Sequence, residues 1–316
     1  DGKCAFHPNL EIKKITEENY FFKWSRYKDF LIDHLNKNQD FIFPKERVSE
    51  MLEFAKNIKN IPISRSNFTW GVPIPNEPKQ VMYVWFDALT NYLTGVGFLE
   101  NKKLFHKFWP ADVHILGKDN LRWHALLWPA MLKSAGIPLP KTILVNGFLN
   151  LNGQKISKSL GNIIRPTDWV KKYGADAVRY YLLRYTNLTD DSDISEEKLV
   201  KAYNSDLANG LGNLVARVAK LCEINNYESI NISEVLPRAK VLEKLNEFRL
   251  NEALSYINEE VSRLNRRINE ESPWILKGRQ LQNELEYYVS SIHLISGDLQ
   301  VFLPETSKKI LTHFSG

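Results

Sequence analysis

The sequence has 316 residues, of which 43% are hydrophobic, enough for more than one apolar core. Its net charge of +5 permits a polyanionic partner without indicating one. No apolar run approaches the roughly 18 residues that a membrane helix needs, so we expect no membrane association. The two cysteines, Cys4 and Cys222, exclude a disulfide framework and favour the cytoplasm or an organelle matrix.

The first 67 residues are polar and mixed. The first residue is Asp1 rather than an initiator methionine, from which we expect a missing upstream part. Tyr20 to Asn36 has apolar residues broadly in helical register and predicts an amphipathic helix. We expect residues 1–67 to form the end of an inserted or peripheral unit and a linker.

Residues 68–164 alternate short apolar runs with helical stretches. Val81 to Phe86, Val113 to Leu116 and Thr142 to Val145 are rich in strand-forming residues, and Arg122 to Ala135 has helical character. This rhythm is typical of βαβ units, so we expect an α/β domain with a parallel sheet.

Beyond Arg165 the strand signals fade. Three segments carry helical periodicity, from Leu207 to Leu221, Leu242 to Leu264 and Leu281 to Leu299. We expect a connecting segment at 165–194 and an all-α bundle at 195–316. Ser195, followed by two glutamates, and Pro304 are plausible helix starts.

A basic loop follows an apolar strand. After the turn Asn152-Gly153, the chain presents Lys155 and Lys158 together with Ser157 and Ser159. Two ammonium groups three residues apart suit a polyphosphate, because they neutralise the charge that develops when an α-phosphate is attacked. A solvated basic loop is the ordinary alternative for lysine pairs in general.

This loop resembles the Lys-Met-Ser-Lys-Ser loop of class I aminoacyl-tRNA synthetases, with Ile156 in place of methionine. The resemblance implies that Lys158 stabilises the transition state of amino acid activation and that Lys155 helps to hold the triphosphate. It further implies ATP and Mg²⁺ as cofactors. The ATP-binding set that we expect is Lys155, Ser157, Lys158, Ser159, Gly117 and Asp119.

Two aromatic-rich segments, Tyr83 to Tyr92 and His114 to Pro129, resemble the methionyl-tRNA synthetase family and its second Rossmann half. Polarisable aromatic walls suit an unbranched thioether. In a parallel sheet, 85–87 and 117–119 would lie at strand ends, where ligands bind. Each aromatic residue alone is more simply explained by core packing. The methionine site that we expect consists of Trp85, Ala88, Tyr92, Asp119, His124 and Trp128.

The helical part resembles the anticodon-binding domain of the same family. Asn213 and Arg217 stand one turn apart, and Trp274 follows a second helix. Anticodon bases are recognised by aromatic stacking and polar side chains, which these three residues supply. The alternative is that Trp274 caps the bundle core and Arg217 is solvated. Residues 165–183 resemble the family's stem-contact segment.

Two features of the family are incomplete here. No histidine is followed by x-Gly-His, the ATP-binding motif of the first Rossmann half, so we expect that half to lie outside this chain and catalysis by the chain alone to be doubtful. Cys4 and His7 have the spacing of half a zinc knuckle. The resemblance implies that they are two of four Zn²⁺ ligands in the complete protein.

The function expected from the resemblance is methionine–tRNA ligase, acting on methionine, ATP and tRNA(Met) as a monomer. Leucyl-, isoleucyl-, valyl- and cysteinyl-tRNA synthetases share the lysine loop and are an alternative. A non-catalytic tRNA-binding protein derived from a synthetase would explain the missing motif. A generic nucleotide-binding protein would bind ATP but ignore the anticodon.

Overall fold

The computed structural model describes residues 3–4, 7–11, 16–67, 69–156, 162–227 and 235–314, and only the backbone of those before residue 16. The chain divides into two compact units, Asp1–Asn146 and Gly147–Gly316. Each unit has its own secondary structure and core. No helix in the described ranges is long and apolar enough to span a bilayer.

The first unit combines short strands with helices. Its strands are β1 (Lys3–Cys4), β2 (His7–Glu11), β3 (Phe21–Phe22), β4 (Ile42–Phe43), β5 (Ile61–Pro62), β6 (Ser64–Arg65), β7 (Pro73–Ile74), β8 (Glu77–Met82), β9 (Val113–Gly117) and β10 (Thr142–Asn146). Its helices are α1 (Lys28–Lys37), α2 (Glu46–Lys56), α3 (Val84–Ala88), α4 (Asn91–Thr94), α5 (Lys102–Phe108) and α6 (Trp128–Ala135). Single turns of 3-10 helix lie at Trp24–Tyr27 and Lys118–Asn120, and a π-helical turn at Trp123–Leu127.

A parallel sheet with strand order β4-β10-β9 lies in the middle of this unit. Ile143, Leu144 and Val145 of the central strand are all buried, as expected for a strand covered on both faces. The expected α/β architecture with a parallel sheet is therefore confirmed. The described residues of this unit also form three antiparallel sheets, with strand orders β1-β2, β3-β5 and β6-β8-β7.

The segment before residue 67 is more closely integrated than the sequence suggested. The expected helix from Tyr20 begins only at Lys28, because Phe21 and Phe22 pair with β5 as a strand. Leu31 and Leu35 are fully buried in the core that also contains Leu126. The indole Nε1 of Trp24 donates to the carbonyl of Leu126 at 3.4 Å. Residues 24–58 thus share the core of the parallel sheet instead of forming a peripheral unit.

The expected strand from Val81 to Phe86 was also partly wrong. Strand β8 ends at Met82 and is antiparallel to its neighbours. The carbonyl of Tyr83 then accepts hydrogen bonds from the amides of Phe86 and Asp87, which begins helix α3. Trp85 therefore lies on a helix and not at the end of a parallel strand, because tertiary packing overrides its strand propensity.

The expected helix from Arg122 to Ala135 is present but is wider in its first half. The Trp128 amide donates to the carbonyl of Trp123, five residues back. Pro129 has no amide hydrogen and its ring would clash with the carbonyl of Ala125 in a regular α-helix. A π-helical turn relieves that clash, and such turns frequently occur at functional sites.

The second unit begins with a small sheet of order β12-β11-β13, formed by β11 (Leu149–Leu151), β12 (Gln154–Lys155) and β13 (Ser192–Ile194). Its helices are α7 (Pro166–Tyr173), α8 (Ala175–Tyr185), α9 (Glu196–Ala202), α10 (Asn213–Ile224), α11 (Ala239–Asn246), α12 (Leu250–Glu271), α13 (Gly278–Leu299) and α14 (Pro304–His313). A π-helical segment, Tyr203–Gly212, joins α9 to α10, and a 3-10 turn covers Pro273–Ile275.

These helices pack as a bundle around a core that includes Leu214, Leu254 and Tyr288, which confirms the all-α prediction. The Ser195 hydroxyl accepts from the Lys198 amide at 3.2 Å, so it caps α9 as expected. Pro304 occupies the first turn of α14.

The predicted continuous helix from Leu242 to Leu264 was wrong, because it is broken between α11 and α12. Phe248 has a φ of +57°, and the Arg249 amide closes the end of α11 on the carbonyl of Lys244 at 2.8 Å. Leu242 consequently remains 42% exposed. Helical periodicity in sequence does not reveal such a short break, because the apolar spacing resumes almost in register.

Candidate active site and anticodon-binding surface

An aromatic cluster lies where helix α3, α4 and the π-helical turn meet in the first unit. The rings of Trp85 and Trp123 stack with centroids 5.3 Å apart, and Trp85 also meets His124 edge-on at 6.1 Å. Tyr92 contacts His124 at 5.7 Å and Trp128 at 6.1 Å. The structure thus brings together four of the residues expected to form the methionine site. Tyr92 therefore contacts both His124 and Trp128.

One hydrogen-bond chain orients the cluster. His124 Nδ1 lies 3.0 Å from the carbonyl of Asn120, and Nε2 lies 2.9 Å from the Tyr92 hydroxyl. Burial lowers the pKa of His124, although its backbone hydrogen bond opposes this effect. The imidazole is therefore neutral at pH 7, and since a carbonyl only accepts, Nδ1 carries the proton. Nε2 accepts from the Tyr92 hydroxyl, whose own lone pairs stay available for a ligand.

Three members of this site were missed by sequence reasoning. His114 lies on β9 with its ring 4.2 Å from that of Tyr92, and Trp123 stacks on Trp85. His114 is buried on the same face of the strand as Leu116, while Ile115 is exposed, an alternation that the apolar run from Val113 to Leu116 does not reveal. Asn146 is the third, since it ends β10 opposite Gly117. Its Oδ1 is buried without a hydrogen-bond partner among the described residues.

Unpartnered polar atoms also occur inside the cluster. The indole Nε1 of Trp128 and the Nε2 of His114 are buried and have no partner in the described part of the chain. Trp109 contacts both rings, at 6.2 and 6.1 Å. Buried polar atoms are normally hydrogen-bonded. These two atoms therefore suit a site that a polar ligand group or an ordered water completes.

The stability of the chain is expected to fall with acid partly through His114. Burial, and secondarily the neighbouring His124, lowers the pKa of His114 to about 4. The unfolded chain regains the ordinary pKa of about 6.5, so it binds more protons than the folded chain between those values. Stability is present above pH 6.5 and declines toward pH 4. Urea unfolding of wild type and His114→Gln across this range should show a shallower decline in the variant. Parallel curves would contradict the assignment.

The remaining residues expected around the ligand lie close in sequence to the cluster. Gly117 ends β9, and Asp119 is exposed on the 3-10 turn that follows. Ala88 ends α3, one turn beyond Trp85, and is partly buried. Gly117 and Asp119 therefore stand at the carboxyl end of a parallel strand, where α/β sheets bind ligands.

The basic loop is described as far as its first lysine. Asn152 and Gly153 have φ values of +50° and +76°, as a two-residue hairpin turn between β11 and β12 requires. Lys155 is exposed, with its ammonium 5.4 Å from the Phe148 ring centroid, and its carbonyl accepts from Asn162 Nδ2 at 2.9 Å. Ser157, Lys158 and Ser159 lie outside the described residues.

Asn213 and Arg217 form a polar network with helix α12 in the second unit. Asn213 Nδ2 donates to Asn265 Oδ1 at 3.2 Å, and Arg217 Nη2 donates to Asn269 Oδ1 at 2.7 Å. Asn265 Nδ2 also donates to the carbonyl of Gly210 at 3.1 Å. The network holds both candidate side chains on one surface of the bundle. Arg217 is therefore not simply solvated.

Trp274 follows α12 in the 3-10 turn and is 60% exposed. It does not cap the bundle core. Ile275 beside it is 68% exposed. An exposed indole on a rigid turn is available for stacking on a flat ring.

Cys4 and His7 are opposed in the backbone register of β1 and β2, but their side chains lie outside the described residues. Among the side chains that the structure describes, no group of three or more acidic, histidine or cysteine residues is arranged to hold a metal ion.

Comparisons with known proteins agree on one family. The family model described as tRNA synthetases class I (M) matches residues 1–219. A methionine–tRNA ligase of Caldanaerobacter subterraneus is 40% identical, with 98% of this chain and 52% of the relative covered. The ligase of Thermotoga maritima is also 40% identical, with 100% and 53% covered. The chain thus spans about half the length of these relatives.

Solved structures give the same result. The crystal structure of Mycobacterium tuberculosis methionyl-tRNA synthetase bound by methionyl-adenylate matches with a TM-score of 0.82 and 37% identity, over 93% of this chain and 62% of that chain. Its apo form matches with a TM-score of 0.78 and 35% identity, over the same shares. The fold is that of a Rossmann-like catalytic part followed by a helical domain, and the chain belongs to the methionyl-tRNA synthetase family of class I tRNA synthetases.

Proposed function

We propose that the protein carrying this chain is a methionine–tRNA ligase. The observation that carries the proposal is the aromatic cluster in which Tyr92 is hydrogen-bonded to a neutral His124, with Trp128 against Tyr92 and Trp85 against His124. Sulfur–aromatic contacts favour a flexible thioether in such surroundings. The similarity to relatives called methionine–tRNA ligase, and to a structure bound by methionyl-adenylate, supports the same substrate.

In the proposed reaction a carboxylate oxygen of methionine attacks the α-phosphorus of ATP. The bond to the β-phosphate breaks, and pyrophosphate leaves. A hydroxyl of the terminal ribose of tRNA(Met) then attacks the carbonyl carbon of the adenylate, and AMP leaves. Binding in the correct orientation and stabilisation of the developing charge account for most of the catalysis in such phosphoryl chemistry.

The methionine side of the site consists, in this proposal, of the aromatic cluster, Ala88 and Asp119. The exposed carboxylate of Asp119 suits the ammonium group of methionine or the ribose of the adenylate. The cluster excludes water around the thioether. The neutral His124 leaves the pocket uncharged, which favours an apolar side chain over a charged one.

The ATP side is proposed to consist of Gly117, Asp119 and the basic loop of residues 155–159. Lys158 would stabilise the charge on the α-phosphate, and Lys155 would hold the triphosphate together with Mg²⁺ and the two serine hydroxyls. Lys155 fits this role because it is exposed and its ammonium has no carboxylate partner in the described part of the chain. Mg²⁺ would neutralise phosphate charge when bound.

We further propose that Cys4 and His7 are two of four Zn²⁺ ligands in the complete protein. Their opposed backbone positions in the β1–β2 pairing are compatible with a shared metal. A structural zinc ion would stabilise the fold around it and take no part in the reaction.

For tRNA(Met) we propose two regions of the second unit, the stem-contact segment at 165–194 and the anticodon-binding bundle at 195–316. The exposed Trp274 and the network of Asn213 and Arg217 support the second, because stacking and base-edge hydrogen bonds recognise unpaired bases. The proposed protein is a monomer of the cytoplasm or an organelle matrix.

Replacing Trp274 with alanine should weaken binding of tRNA(Met) by roughly 1–3 kcal/mol, the stacking free energy of one base. Trp274→Phe should recover much of the loss, since it keeps an aromatic face. Fluorescence titration with tRNA(Met), and with a tRNA whose anticodon is altered, measures the affinity of each protein variant. If Trp274→Ala binds both RNAs as wild type does, Trp274 has no part in anticodon recognition.

The function is tested by ATP–pyrophosphate exchange with the full-length protein and each of the twenty amino acids. Exchange driven by methionine alone is the expected result. Exchange driven by leucine, isoleucine, valine or cysteine would assign another class I synthetase. Tight, anticodon-dependent tRNA binding without any exchange would leave a non-catalytic tRNA-binding protein. ATP binding that ignores the anticodon would indicate a generic nucleotide-binding protein.

A further inference from the structure

A cavity of about 420 Å³ lies in the second unit, and Asn213, Arg217 and Trp274, the residues assigned above to the anticodon, are not part of its lining. Its walls are the first turns of α8 and α14 and the π-helical segment between α9 and α10. Aromatic and aliphatic side chains form most of the lining, among them Tyr173, Tyr203, Leu207, Leu211 and Ile310. A cavity of this size and polarity is within the range of small-molecule sites.

Asp176 is the buried charged residue of this lining. It is only 8% exposed. Its Oδ2 accepts from the Thr306 amide at 2.7 Å and so caps the start of α14. Its Oδ1 is buried and has no hydrogen-bond partner among the described residues. Capping of α14 accounts for Oδ2. A neutral serine or asparagine would also cap the helix, so capping alone does not require a carboxylate.

Burying a carboxylate with an unused oxygen is costly unless something donates to it. The rim of the cavity does not offset the charge. Glu305 and Lys309 of α14 also line the cavity, but no ion pair joins Lys309 to Asp176 in the described part of the chain. Asp176 thus lines a mostly apolar cavity with one carboxylate oxygen that has no hydrogen-bond partner among the described residues.

We propose that this cavity binds a small molecule in which a primary ammonium group is carried on a short arm next to a flat apolar ring. The ammonium group donates to Asp176 Oδ1, and the ring packs against Tyr203, Leu207 and Leu211. Because Oδ1 is buried, a slim ammonium on a methylene group reaches it more readily than a broad guanidinium. The occupant also packs against Gly212, the residue before α10, the helix that carries Asn213 and Arg217.

The proposal is tested with benzylamine as the probe and benzyl alcohol as its neutral counterpart, by calorimetric titration of the full-length protein at neutral pH. Benzylamine should bind at least about tenfold more tightly than benzyl alcohol, because a hydrogen bond between two oppositely charged groups is stronger than one with a neutral donor. Asp176→Asn should remove that preference while the protein stays folded, because its amide oxygen still accepts from the Thr306 amide.

Two further variants locate the probe. Glu305→Gln, which changes a carboxylate at the rim, should leave benzylamine affinity within about twofold. Ala208→Phe, at an exposed lining position, should block entry and lower the affinity by at least about tenfold, the loss expected for a contact of about 1.4 kcal/mol. The proposal is overturned if wild type does not bind benzylamine, if Asp176→Asn binds it equally well, or if Ala208→Phe retains full affinity.

Discussion

Replacing Lys158 with alanine in the full-length protein should lower the rate of methionine-dependent ATP–pyrophosphate exchange by about 100-fold or more. The lysine is proposed to contact the phosphate group whose negative charge increases in the transition state. Loss of one such contact typically costs about 3–4 kcal/mol, which corresponds to two to three orders of magnitude in rate. The KM for methionine should change far less, because the aromatic cluster that is proposed to bind it is untouched.

The matched control is Lys59→Ala, which removes an exposed lysine from the loop after α2 and should leave exchange within about twofold of wild type. Lys155→Ala is expected to raise the KM for ATP more than it lowers kcat, because a group that binds the triphosphate equally in ground and transition states contributes to affinity. A loss of less than about tenfold in Lys158→Ala would refute its proposed role.

Replacing Asp298 with alanine should lower the free energy of unfolding of the helical unit by about 3–5 kcal/mol. Asp298 is fully buried on α13. Its carboxylate accepts hydrogen bonds from the backbone amide and the guanidinium Nε of Arg238, both at 2.7 Å, and Oδ2 lies 2.6 Å from Nη2 as an ion pair. Its removal leaves a half-buried guanidinium with only Glu260, at 3.1 Å, as an ionic partner.

Equilibrium urea unfolding followed by far-ultraviolet circular dichroism measures this loss. Asp298→Asn should cost less than Asp298→Ala, because its amide oxygen can still accept from the Arg238 amide. The comparison pair is Asp33 and Lys37 on α1, at 2.8 Å and both well exposed. Asp33→Ala should cost less than about 1 kcal/mol. Equal losses in the two alanine variants would show that burial does not control the strength of these ion pairs.

Local patterns in the sequence were sufficient to predict several features of the fold. Thr142 to Val145 reads as a buried strand because consecutive β-branched and aliphatic residues suit a position covered on both faces. The bundle helices were predicted from the periodicity of their apolar residues, and the start of α9 at Ser195 from the two glutamates that follow it. The patterns that predict these features span only a few neighbouring residues. They are therefore visible in the sequence without any knowledge of the tertiary structure.

Features that depend on distant contacts were predicted poorly. Trp85 appeared to be on a strand, but its ring packs on Trp123, nearly forty residues further along the chain, and the backbone turns into α3. His114 was missed because a lone histidine on a strand gives no indication that Tyr92 and His124 surround it. The break at Phe248 was invisible because the apolar spacing is nearly continuous across it.

The sequence by itself determined the chemical content of this protein: the lysine loop, the aromatic segments and the polar residues of α10. Only the tertiary structure decided their arrangement. It set the tautomer of His124 through the carbonyl of Asn120, brought Tyr92 between His124 and Trp128, and left Trp274 exposed. The physical reason is that side-chain identity is local, whereas burial, hydrogen-bond partners and protonation depend on groups that only folding brings within a few ångströms.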